Sequence, residues 1–419
     1  MLSLRPSGSA SARFAGGVAA AFAVALLGPA ATGAQQSAER PLLVVTATTD
    51  QQELFRADPL LLAQTSPAVP LEGSMGPHAF SPDGSTLAWI SLRSDAASLE
   101  LLDVRSMSPD GSVGLGKLGV STIAWLANDR ILVLAEHPDG LRALVVDHAT
   151  SRLVSVRRIQ GHFAEFPNVT STTKAAVVQV RPLAPGQRVG PVLLAIVPAS
   201  GPVRIVRLAS IKTGAAQRTR NGTSFWEIRR PAVVGNPTGE RAYVIGAADE
   251  PLASVDVRTL RVSYHRVGGI RPAAALLIGT DKHAAWVRPG LIAMVGDDEY
   301  AGAAPALLGL RLVDTRTWRA RTIDPSAEHL DVADGTIVAQ HVDTALPGAT
   351  ITGFDAKGSR RFTLPLSGLP RPADVTSTGR HLYLLTHDAA GTVIVIDPSS
   401  GAVVGRPLAP SVGELLSLS

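Results

Sequence analysis

Residues 310–323 read Leu-Arg-Leu-Val-Asp-Thr-Arg-Thr-Trp-Arg-Ala-Arg-Thr-Ile: an apolar-rich run closed by Asp314, a polar turn, and a second run opening at Trp318. The same phrase returns at Leu101-Leu102-Asp103, Val145-Val146-Asp147, Ser254-Val255-Asp256, Gly353-Phe354-Asp355 and Val395-Ile396-Asp397, with a looser copy at Asp58. The unit around Val197-Pro198 lacks the aspartate. An Asp in this place accepts backbone N–H groups and starts a turn, so these carboxylates read as hairpin parts rather than catalysts.

Ahead of each phrase lies another β-rich run, at 42–48, 86–92, 131–136, 174–181, 241–247, 291–296, 336–342 and 381–387. Their starts are about 44 residues apart, widen to about 67 and 50 in the middle, and return to about 45. Several follow a Gly-containing turn, as in Ser81-Pro82-Asp83-Gly84 and Asn236-Pro237-Thr238-Gly239, where Pro fixes φ and Gly takes it positive. Four strands per unit at this period predict an all-β propeller of eight, alternatively seven, four-stranded blades. The first unit lacks an innermost strand while 412–418 follows a complete last unit. The C-terminal strand is therefore expected to join the N-terminal blade and close the ring.

The Ser81-Pro82-Asp83-Gly84 turn followed by Leu87-Ala88 resembles the blade turn of TolB-type and WD-repeat-like propellers. Arg241-Ala242-Tyr243-Val244 through Val255-Asp256-Val257-Arg258-Thr259-Leu260 is similar to the YVTN type. The resemblance implies a blade architecture, export and a role as an interaction platform, and it transfers no catalytic residue.

Residues 1–34 place Arg5 and Arg13 before the apolar stretch 14–27 and end in small residues, the order of a secretory signal peptide cleaved after Ala34. That leaves 35–419 as a secreted or extracytoplasmic propeller domain without a stable membrane anchor. Removing Arg5 and Arg13 takes the formal charge from +4 to +2, which offers no nucleic-acid signal. The absence of cysteine excludes disulfides, thiolate metal sites and a Cys nucleophile. No Gly-x-Ser-x-Gly elbow, phosphate-binding loop or His-Glu-x-x-His motif occurs.

Blade topology sorts loops by face. The second-to-third-strand loops carry Asp50, Asp95, His137 with Asp139, Asp249 with Glu250, Asp297-Asp298-Glu299, His341 with Asp343, and His387 with Asp388. The fourth-to-first connections add His78, His162 and His329. A His-x-Asp pair on an extended loop suits a divalent cation such as Zn or Mn, so His137, Asp139, His341, Asp343, His387 and Asp388 are candidate metal ligands. The acidic run at 297–299 is a candidate Ca position. Trp89, Trp125, Trp286 and Trp318 read as core between sheets.

The widened spacing predicts an insertion loop at about 209–230. Between Gly201 and Arg230 seven basic residues face one acid, Glu227. Arg218, Arg220, Arg229, Arg230 and Trp226 are the candidate contacts for an envelope polymer. The function expected is that of a monomeric, non-enzymatic binding platform for a protein or envelope-polymer ligand, with no resident cofactor beyond a divalent cation. The alternative is a metal-assisted propeller lyase or hydrolase using the His and Asp residues of the loop face.

Overall fold

Alternating and continuous apolar runs dictate strands, and strands are what the computed structural model contains. It describes residues 40–419 apart from 48–50, 94–95, 128, 164–168, 172–174, 182–188, 221, 268–276, 301–304, 344–347, 368–371, 387–390, 409–411 and 418–419. Among the described residues there is no helix, hence none long and apolar enough to cross a membrane.

Among the described residues six antiparallel four-stranded blades stand as separate sheets, and they occupy 42–71 with Val412–Leu416, 74–116, 119–159, 232–265, 329–367 and 374–405. The expected count of eight, or seven, separate blades is thus corrected to six. The physical reason lies between 162 and 324, where the remaining strands run together as one eleven-stranded sheet. Arg204–Arg220 and Thr223–Arg230 form a long antiparallel hairpin. The second of these strands then pairs in parallel with Leu277–Arg288 through Ile228↔Gly279, Arg229↔Thr280 and Arg230↔Asp281. A parallel pair needs a long crossover, and here the crossover contains the whole 232–265 blade. Residues 209–230 are therefore two strands and not an insertion loop.

The chain closes as the terminal strands predict. Val412–Leu416 pairs with Leu42–Ala47 through Leu43↔Leu416 and Val44↔Leu415, as the innermost strand of the first blade. Leu42, Val44 and Leu415 then pack against Tyr383, Leu385, Val393 and Val395 of the last blade. Comparable layers fill the other gaps: Leu43, Leu54, Leu87 and Leu102 in one, Ile90, Leu99, Ile131 and Val133 in the next. Burying such side chains contributes roughly 1.5–3 kcal/mol each.

The repeated aspartates do what their position requires. Asp103 Oδ1 accepts the Ser106 N–H at 2.6 Å, Asp256 Oδ1 that of Thr259 at 2.6 Å, and Asp397 Oδ1 that of Ser399 at 2.8 Å. Asp58, Asp147, Asp314 and Asp355 accept equivalent bonds. The Ser399 hydroxyl and N–H hold Asp397 down to about 2, and the corresponding N–H and hydroxyl donors hold Asp103 and Asp256 below their ordinary pKa. Four residues after the aspartate the chain turns left-handed even where no glycine stands, with φ of 55° at Leu62, 56° at Met107, 49° at Ser151, 63° at Leu260 and 58° at Trp318. In most copies the N–H of that residue closes the turn on the aspartate's carbonyl, at 2.9 Å from Met107 and 2.7 Å from Trp318.

Candidate functional site

The innermost strands present alternate side chains to the centre of the ring, and a cavity of about 820 Å³ opens there. His329 and Asp331 come from His329–Ala333, His283 from Leu277–Arg288, His78 from Ser74–Phe80, Asp374 from Asp374–Ser377, and Glu414 from the closing strand. His78 and His329, expected in connecting loops, lie on these strands instead, because the inner strands start earlier than their apolar residues suggest. His162 likewise opens the short strand His162–Phe163.

Charge in this cavity is tuned by burial. His78 Nε2 lies 3.7 Å from Glu414 Oε1, and His283 Nε2 lies 3.4 Å from Asp281 Oδ1. The bond to Asp281 raises the pKa of His283. Desolvation lowers that of His329, which therefore stays neutral and free to accept a hydrogen bond or ligate a metal at neutral pH. Burial pushes Asp331 up to about 6, a value suited to proton exchange near neutrality. Gln340 braces the wall: its Nε2 donates to the Ala373 carbonyl at 2.8 Å and its Oε1 accepts the Ala373 N–H at 3.0 Å.

The sequence signal for this site was in plain view. Asp281-x-His283 and His329-x-Asp331 repeat the spacing singled out at 137/139 and 341/343, but on inner strands rather than loops.

The loop-face candidates fare differently. His137 Nδ1 meets Asp139, whose carboxylate is also bound by Arg142 at 2.7 Å and approached by Arg158 at 3.6 Å. Those cations hold Asp139 at about 2 and occupy the oxygens a metal would use. His341 lies 3.5 Å from Glu328; the side chain of Asp343 and the whole of His387 and Asp388 lie outside the described residues. Among the described residues no three His or acidic side chains converge as a metal cluster. The 297–299 run belongs to the strand Leu291–Tyr300, and Asp298 is buried against Lys282 with Oδ1 and Nζ 2.9 Å apart, an ion pair in place of a Ca loop.

The basic segment is also largely neutralised. Arg218 and Arg229 each bind Glu227 at 2.8 Å, Arg229 adds Glu250 at 3.1 Å, and Arg230 reaches Asp281 at 3.4 Å. Arg229 is itself buried, whereas Trp226 is exposed. Arg220 pairs by its backbone with Thr223, and its side chain lies outside the described residues. Glu250, accepting the Ala247 and Lys212 N–H groups as well, is pushed up to about 7 by burial. Desolvation lowers the pKa of Lys282. Of the four tryptophans read as core, Trp89 and Trp125 are buried and Trp286 and Trp318 only half-buried.

No protein-family model and no curated protein matches the sequence. Solved structures do resemble the fold. The dihydro-heme d1 dehydrogenase NirN, in complex with DHE, superimposes with a TM-score of 0.58 at 14% identity, over 90% of this chain and 75% of that one. Apo AztD from Citrobacter koseri does so with a TM-score of 0.57 at 12% identity, over 90% of this chain and 98% of that one. At such identity the likeness establishes a β-propeller and nothing finer.

Proposed function

We propose that this chain is an exported, non-enzymatic binding propeller, of the YVTN or TolB-like kind, whose ligand sits in the central cavity. The observation that carries the reading is the lining of one cavity of ligand size by three imidazoles (His78, His283 and His329) and by Asp331, Asp374 and Glu414. These groups line one cavity without converging as a metal cluster, so neutral His329 suits a polar small molecule, or a ligand that brings its own metal and needs a single imidazole. NirN, which is described with a bound ligand, supports looking for a small molecule on this fold.

The test is titration with Zn²⁺ by calorimetry and with haemin by absorbance, on the protein and on a His78→Ala/His329→Ala variant. One-to-one binding of either probe that weakens at least about tenfold in the variant supports the reading, a loss of about 1.4 kcal/mol. Binding of neither probe, or binding indifferent to both histidines, overturns it. Export is tested by N-terminal sequencing of the protein made in a secreting host, where processing after Ala34 is expected.

One observation favours the enzymatic alternative, a metal-assisted lyase or hydrolase. Asp331, with its pKa near 6 and two residues from a neutral histidine, has the properties of a general acid or base.

A further inference from the structure

A second cavity, of about 680 Å³, lies apart from the channel, where the turn at 236–240 meets the turns at 289–290 and 315–316. Half-exposed Trp286, Trp318 and His265 line its wall over Tyr243, which is buried in the core beneath them. His265 stacks on Trp318 with centroids 3.5 Å apart and planes 10° from parallel; Trp318 meets Tyr243 at 6.1 Å; Tyr243 stacks on Trp286 at 6.1 Å and 21°. The Asp314 turn presents Trp318 through its left-handed backbone, and in the corresponding turns Leu62 and Met107 are buried while Trp318 stays half-exposed. Around the rings stand Glu240, Arg241, Thr238 and Arg316, a mixture of donors and acceptors of both charge signs. Arg316 is engaged by Asp314 at 3.1 Å and Arg241 donates to Ser254 Oγ at 3.1 Å, so neither cation is concentrated into an anion site. His265 Nε2 is shielded from solvent and has no hydrogen-bond partner among the described residues.

We propose that this groove binds an oligosaccharide. A sugar ring has an apolar, C–H-bearing face that complements the electron-rich face of an indole or phenol, and a rim of hydroxyls each needing both a donor and an acceptor. The half-exposed indoles of Trp286 and Trp318 supply the first need and the mixed rim the second. An aromatic cage for a cation would exclude arginines, and a phosphate site would exclude Glu240. The proposal does not depend on the channel reading.

The experiment follows tryptophan fluorescence of the protein against maltohexaose, cellohexaose and hexa-N-acetylchitohexaose, with retardation in gels containing the matching polymers. Expected is a saturable change with one of the three, its affinity falling at least tenfold in Trp318→Ala. Because Trp318 also packs on the core, Glu240→Gln/Thr238→Ala is measured in parallel: both side chains are exposed and neither bonds a buried side chain, so this variant keeps the fold and should also lose at least tenfold. His78→Ala/His329→Ala should bind the sugar normally, which separates this site from the channel. No response to any of the three at millimolar concentration, or binding unchanged in the rim variant, overturns the proposal.

Discussion

The blade at 74–116 and the sheet running from 162 to 324 are built from the same apolar strands, yet they bury different things. The blade buries Ile90, Leu99 and Leu101 and leaves its one repeated carboxylate, Asp103, in a surface turn. The long sheet buries charge: Glu227 with Arg229, Arg229 with Glu250, and Lys282 with Asp298. Apolar layers need only size and pattern, and they tolerate repetition. Buried ion pairs need particular partners, so they tie particular elements together: Arg229–Glu250 joins Thr223–Arg230 to the neighbouring blade and Lys282–Asp298 joins Leu277–Arg288 to Leu291–Tyr300, while the half-exposed Arg230–Asp281 pair spans the parallel junction.

The sharpest way to break this comparison is to remove one partner. Lys282→Ala leaves Asp298 buried without its counter-charge and should cost about 3–5 kcal/mol in denaturant unfolding. The double variant Lys282→Met/Asp298→Leu should recover most of that loss. If the single variant costs under about 1 kcal/mol, the pair is not desolvated as described.

In a blade the matching change is a cavity. Leu99→Ala should cost about 2–5 kcal/mol, with no pH dependence, because nothing ionisable surrounds it in its apolar layer.

The contrast sharpens with pH. Glu250 titrates at about 7 in the folded chain against an ordinary 4.5, so the folded state holds its proton more tightly than the unfolded state does. Stability should fall as pH rises from about 4.5 through about 7 and then level off, a loss on the order of 3 kcal/mol from this group. Glu250→Gln should flatten that slope in melting curves. Asp331→Asn should flatten only the smaller contribution between about 3.8 and about 6. A slope unchanged by either substitution would place the titration elsewhere.

These differences also mark where the sequence could be read and where it could not. Asp58, Asp103, Asp147, Asp256, Asp314, Asp355 and Asp397 recur at one place in a period, so turn chemistry located the hairpins, and the strand missing from the first unit and spare after the last located the closing strand. The fusion at 228–230 was illegible because a parallel pair three residues long leaves no periodic trace, and its charges resemble a solvated loop until Glu250 and Asp281 are seen opposite them. The channel site was half legible. Its His-x-Asp spacing is in the sequence, but whether 329–333 is loop or strand is decided by pairing with Thr336–Asp343, a tertiary fact.

The smallest test concerns the turns themselves. Left-handed backbone at a non-glycine residue costs roughly 1–2 kcal/mol, and the repeat carries it at Ser151 with φ 49°. Ser151 closes its turn by its own N–H to the His148 carbonyl at 3.1 Å, a bond any residue would make. Ser151→Gly should therefore stabilise the blade by up to about 1 kcal/mol, the strain relieved being offset by the greater entropy of the unfolded chain. Leu62 and Met107 hold the same conformation with buried side chains, so Leu62→Gly should lose more in packing than it gains in strain. Opposite signs at two equivalent turns would show that the left-handed position is set by the Asp-led hairpin, and that the side chain placed there is chosen by what lies beneath it.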